Sequence, residues 1–124
     1  MGGIKSYRDL KVWQDGMTLV EGCYRFSSEF PREEQFGLTS QLRRAAVSVP
    51  ANIAEGYGRD TRGSYVSFLR TAQGSLKEVE THLIIAQRLK FGAAAVSERL
   101  LNQCDEIGRM LRSLIRSLQG AEGE

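Results

Sequence analysis

Proline is scarce in this chain, with two among 124 residues, at positions 31 and 50. A sequence that so seldom deletes a backbone donor suits long helices. Cysteine is equally scarce. Cys23 and Cys104 stand far apart, so no disulfide framework and no CxxC metal or redox motif is available, and two lone thiols suit the core of a protein in a reducing compartment. Histidine occurs once, at His82. That removes both the paired Glu-x-x-His ligands of a di-iron bundle and the HExxH of a zinc protease. Long apolar runs are missing as well: Leu83-Ile84-Ile85-Ala86 is far too short to span a bilayer, and MGGIKSYRDL lacks the hydrophobic centre of a signal peptide. A cytoplasmic location with no membrane partner is therefore expected. Met1-Gly2 with Ser6 fits the N-myristoylation pattern formally, but a flexible start accounts for the glycines better.

Hydrophobic residues at 41% and charged residues at 26% match an ordinary globular protein, which sets aside the disordered and fibrous classes. The length suits one domain, 1–124, with a core of its own. At about 100° per residue, Leu10, Trp13, Met17, Val20 and Tyr24 share one arc of a first helix, 7–28. Pro31 follows, and Glu33-Glu34 suits the positive end of a second helix, 34–57, whose stripe is Leu38, Leu42, Ala45, Val49 and Ile53. Asp60, Thr61 and Ser64 are candidate N-caps for a third helix, 64–90, carrying Leu69, Ala72, Leu76, Val79, Leu83 and Ala86. Gly92 suits the left-handed position that ends it. Leu100, Cys104, Ile107, Leu111, Leu114 and Leu118 keep heptad spacing in a fourth helix, 94–119. No segment alternates with period two. Short loops between such helices predict an all-α, antiparallel up-down-up-down four-helix bundle.

The first helix carries a second apolar series, Val12, Gly16, Leu19, Cys23, Phe26 and Phe30, about 120° around from the first. A corner helix touching two neighbours could use both. The preferred expectation is that Val12, Leu19, Phe26 and Phe30 join copies of the chain, because an exposed patch of this kind is costly on a monomer.

In an antiparallel bundle one pole gathers Arg8, Lys11, Arg59, Arg62, Arg70, Arg109, Arg112 and Arg116, outnumbering the acids there. Arginine presents a flat fork suited to phosphate oxygens, so these residues are the candidate nucleic-acid-binding set. Cations near helix ends also merely balance the helix dipole, and Glu122 and Glu124 would dilute the field if the tail folded back.

In the second helix Gln41, Arg44, Ser48, Asn52, Glu55 and Arg59 form a polar band beside the apolar stripe. Pro50 removes the donor that the Ala46 carbonyl would use, which bends the helix. Ser48 is expected to bond along its own helix, and Asn52 and Glu55 to reach the third, where Gly74 permits close approach and Ser75 and Glu78 offer partners. The band is read either as an internal hydrogen-bond buffer that fixes register or as a surface for a partner or ligand. His82 is expected at the core boundary with one hydrogen bond. There is no Gly-x-Ser-x-Gly elbow, phosphate-binding glycine loop or metal cluster. The expectation is a non-enzymatic protein with no catalytic residues, no cofactor and no metal.

YRDLKVWQ at 7–14, the Phe30-Pro31 pair, FGLTSQLRRAAVSVPANIAEGYGR at 36–59 and FLRTAQGSLKEVE at 68–80 resemble the four-helix-bundle proteins of the 23S rRNA intervening-sequence family. That family is similar to the accessory variability proteins of diversity-generating retroelements. The resemblance implies a homopentameric barrel with a basic surface. In the retroelement branch it implies an accessory subunit touching a reverse transcriptase and its RNA. It implies no catalytic residue. Two readings follow: an oligomeric scaffold that binds RNA or another nucleic acid, and a purely structural protein-interaction scaffold.

Overall fold

Ser6 opens the first helical turn with a capping box: its hydroxyl accepts from the Arg8 N–H at 3.0 Å, while the Asp9 carboxylate accepts from the backbone of Lys5 at 2.9 Å and of Ser6 at 3.2 Å. This fixes a 3-10 turn, Tyr7–Asp9, and Leu10 then turns extended before α1 (Lys11–Ser27) begins. A second 3-10 turn, Arg32–Glu34, precedes α2 (Leu38–Tyr57), and α3 (Arg62–Leu89) and α4 (Ala94–Gly123) follow. The computed structural model describes residues 3–123, with side chains described from 3 to 120; the Gly2 pattern and the tail acids lie outside these. Among the described residues there is no strand, and no helix is long and apolar enough to cross a membrane.

The helix ends follow local chemistry. Glu34 lies just before α2 rather than inside it, yet its Oε1 accepts from the Leu38 N–H at 2.9 Å, so the acid caps α2 from outside. Of the three candidate caps for α3, Thr61 holds the position, accepting from the Ser64 N–H at 3.1 Å. At the other end the left-handed residue is Lys90, φ 62°, not Gly92. Lys90 N–H bonds to Gln87 O at 3.1 Å and Phe91 N–H to Ala86 O at 2.9 Å, the paired bonds of a Schellman turn. Gly92 takes a second positive φ of 73°, and the Phe26 ring occupies the space where a Cβ would stand.

The helices pack α1 on α2, α2 on α3, α3 on α4 and α4 on α1. In the first three pairs, contacts that advance along one helix recede along its partner. Gly16 lies against Pro50 and Ser27 meets Arg43; Gly56 lies against Tyr65 and Ser48 meets Ser75; Leu76 lies beside Gly108 and Gln87 bonds Ser97. The predicted stripes of α2 and α3 are buried throughout. On α4 burial follows Leu100, Cys104, Ile107 and Leu111 and then shifts to Ile115, leaving Leu114 only partly covered. A straight helix drifts about 20° per heptad, which moves the inward position on by one residue.

The two faces of α1 are exchanged relative to expectation. Val12, Leu19, Phe26 and Phe30 are buried inside this chain's own core, Leu19 at 0% exposure, so they form no surface between copies. The other series lies at the boundary: Leu10, Trp13 and Val20 are half-buried, and Met17 and Tyr24 are exposed. Trp13 and Tyr24 carry polar tips that favour water, whereas Gly16 lets the buried face lie directly on the Pro50 ring. Truncating Leu19 to Ala removes a fully buried side chain and costs about 2–5 kcal/mol by the usual cavity scale. Cys23 and Cys104 are also fully buried and unbridged. Burial pushes the Cys23 thiol up to about 12 and raises that of Cys104 too, leaving both as inert core residues.

Candidate functional site

The polar band of α2 turns out to be a cross-linked joint with α3. Ser48 Oγ and Ser75 Oγ lie 2.8 Å apart, and the Asn52 side-chain amide donates to both the carbonyl and the hydroxyl of Ser48 at 2.8 Å. The expected roles are therefore reversed, since Ser48 is the residue that crosses and Asn52 stays on its own helix. The reason is reach: beside Pro50 the short Ser48 hydroxyl already faces α3, while Asn52 sits one turn further on, directly over Ser48. Glu55 does not cross either. Its carboxylate binds Arg59 at 2.8 Å on the surface of α2.

Gln41, Arg44, Ser48, Glu78 and His82 surround an open polar cleft of about 350 Å³ between α2 and α3. His82 lacks the hydrogen bond expected of it: its Nδ1 is buried without a partner. Desolvation lowers the imidazole pKa from its ordinary value, against the opposing pull of Glu78. Among the described residues no group of three or more His, Cys, Asp or Glu could hold a metal ion.

The basic set divides into bound and unbound members. Lys11 is held by Asp15 at 3.2 Å, and Arg59 by Glu55 while its guanidinium lies 4.6 Å from the centre of the Phe68 ring. Arg8 lies over the neighbouring Tyr7 ring at 5.6 Å. Arg62, Arg70, Arg109, Arg112 and Arg116 are exposed and make no ion pair with a described residue. Arg70 and Arg112 are brought together across two helices. They line a cleft of about 370 Å³ between α3 and α4, together with Lys77 and Gln73. Sequence reasoning missed Lys77, although it stands seven residues after Arg70 on the same face of α3 and could have been found from that spacing. Gly74 opens into this cleft: a Cβ there would meet nothing within 4 Å, so the glycine does not serve the close approach of α2 and α3 expected of it. That role belongs to Gly56, where a Cβ would lie 2.8 Å from Phe68 Cβ and 3.2 Å from Tyr65 O.

A second missed residue is Arg43, whose neighbour Arg44 drew the attention. Arg43 Nε donates to Ser27 Oγ at 2.8 Å and Nη2 to Tyr24 O at 3.2 Å, with the guanidinium 4.5 Å from the centre of the Tyr24 ring. Beside it, Tyr24, Phe36 and Val47 border an open, mainly apolar cleft of about 680 Å³. Phe36 is 89% exposed.

No curated protein matches this chain significantly. Among solved structures it is similar to a Bacteroides thetaiotaomicron protein described as of unknown function and from the S23 ribosomal protein family. The two share 23% identity over 84% of this chain and 97% of that one, with a TM-score of 0.76, a likeness of fold. The family model described as 23S rRNA-intervening sequence protein matches residues 8–113, which takes in α1, α2, α3 and most of α4, and the chain belongs to that family.

Proposed function

We propose that this protein is a non-enzymatic accessory scaffold that binds RNA through its unpaired arginines as an oligomer of antiparallel up-down-up-down bundles. One observation carries the reading: Arg62, Arg70, Arg109, Arg112 and Arg116 are exposed without an ion pair to any described residue, on the start of α3 and the later half of α4. Guanidinium groups left free of carboxylates keep their forks for phosphate oxygens. Lys11 and Arg59 contribute less, because Asp15 and Glu55 already satisfy them. The assembly implied by the family resemblance is a homopentameric barrel, which would multiply this modest charge into a strong local field. A reverse transcriptase is the protein partner that the retroelement resemblance implies.

The surface available to such an assembly is the exposed apolar border of Tyr24, Phe36 and Val47 rather than the buried face of α1. The same exposed Phe36 supports the second reading, a protein-interaction scaffold with no nucleic-acid contact. Anisotropy of a labelled single-stranded RNA across a salt series separates the two. Affinity falling steeply with log salt is expected, and no binding at low salt would leave only the scaffold. Light scattering tests the assembly: a mass of several chains is expected, lowered by Phe36→Glu or Val47→Glu, and a wild-type mass of one chain rejects it.

A further inference from the structure

We infer that the cleft between α3 and α4 seats consecutive phosphates of one single-stranded polynucleotide, a site that rests on the RNA-binding reading and gives it a location. Arg70 and Lys77 rise from α3 and Arg112 from α4 around one open cleft of about 370 Å³, with Gln73 beside them. No carboxylate lines it. Lys77 is tethered by Glu80 at 3.2 Å from outside the cleft, and neither arginine is in an ion pair with a described residue.

Two glycines make the space. Gly74 on α3 has nothing within 4 Å of its Cβ position, and at Gly108 on α4 the nearest atoms, Arg112 Nη1 and Leu76 Cδ2, lie 3.6 Å away. The Arg112 guanidinium therefore lies back over the helix at Gly108, beside the cleft floor. Arg70 and Lys77 are seven residues apart, about 10 Å along the helix, so the cations are spread along α3 rather than rooted at one point. A strand lying along α3 would meet Arg70, then Arg112 and Lys77 in succession. Three of the lining side chains are cations suited to phosphate and an aromatic stacking platform is absent from the lining, so the contact inferred is chiefly with the backbone.

The test measures the affinity of a short labelled oligouridylate over a salt series, with helicity and melting recorded for each variant. Arg70→Ala with Arg112→Ala is expected to weaken binding and to reduce the slope of log affinity against log salt by about 0.7 for each lost contact. Gly74→Leu leaves every charge in place and fills the cleft; it is expected to weaken binding about tenfold, equivalent to about 1.4 kcal/mol. If a folded Gly74→Leu binds like wild type and the double alanine variant keeps the full salt slope, the cleft is not the site, while RNA binding through Arg62, Arg109 and Arg116 stands. If Gly74→Leu fails to fold, the double variant decides alone, since both its positions are exposed. Inorganic pyrophosphate competing as well as the oligomer would replace the strand with a small oxyanion and overturn the inference. A wild-type chain that binds no RNA at all overturns this site and the proposed function together.

Discussion

Helix α3 meets two neighbours in opposite ways. Toward α2 it is shut at Gly56, which is closed over by Tyr65 and Phe68, and pinned at Ser75 by its bond to Ser48, with the His82 cleft left open beside that pair. Toward α4 it is open at Gly74, which faces empty space between cations. Both glycines belong to the blocks that carry the family resemblance, yet one is needed because nothing larger fits and the other leaves room unfilled. The difference teaches that a glycine in a helix is informative only once its neighbours are known. At these two glycines it separates a contact that holds register from a space left unfilled.

The sharpest way to break this contrast is at Gly56. Gly56→Ala is expected to destabilise the protein by about 1–3 kcal/mol, the usual cost of overpacking, because the new methyl would press on the Phe68 Cβ and the Tyr65 carbonyl; chemical denaturation measures it. Next comes the hydroxyl pair. Ser75→Ala leaves Ser48 with its Asn52 bond alone and is expected to cost about 1 kcal/mol in the same assay. At Gly74 the sign reverses: Gly74→Ala meets no atoms and improves helix propensity, so it is expected to stabilise by about 0.5–1 kcal/mol. Equal effects of alanine at the two glycines would erase the distinction between a shut joint and an open one.

The smallest effect concerns pH on the α2–α3 side. Burial holds the His82 pKa below its ordinary 6.5, so just below that pH the unfolded chain binds more protons than the folded one. The stability gained from keeping His82 neutral is thus present above 6.5 and fades as the pH falls toward the lowered folded value. Melting temperatures across mildly acidic pH are expected to decline in wild type and to decline less in His82→Gln.

The stripes of α2 and α3 were legible because each had one apolar arc and no rival. The face of α1 was not. Two series had equal claims by periodicity, and the decision depended on Gly16 meeting Pro50 and on the polar tips of Trp13 and Tyr24, which are tertiary facts. The start of α3 was narrowed by its caps to three residues, of which Thr61 serves. Lys90 in a left-handed conformation was hidden, since glycine is the ordinary occupant and Gly92 stood nearby. Of the candidate basic residues, sequence placed the arginines near one end of the chain's helices but not in pairs. Which of them meet across helices depends on how α3 and α4 are rotated against each other, and Arg70 and Arg112 share a lining.

Arg43 has a consequence for how the chain comes apart. Its fork spans Ser27, the Tyr24 carbonyl and the Tyr24 ring at once, pinning the loose acceptor end of α1 to the flank of α2. A lysine would preserve the positive charge yet own neither the second directed donor nor the flat surface that rests on the ring. Fraying would then begin at the α1–α2 bend, exposing amide protons there to solvent exchange well before the Ser48–Ser75 joint lets go.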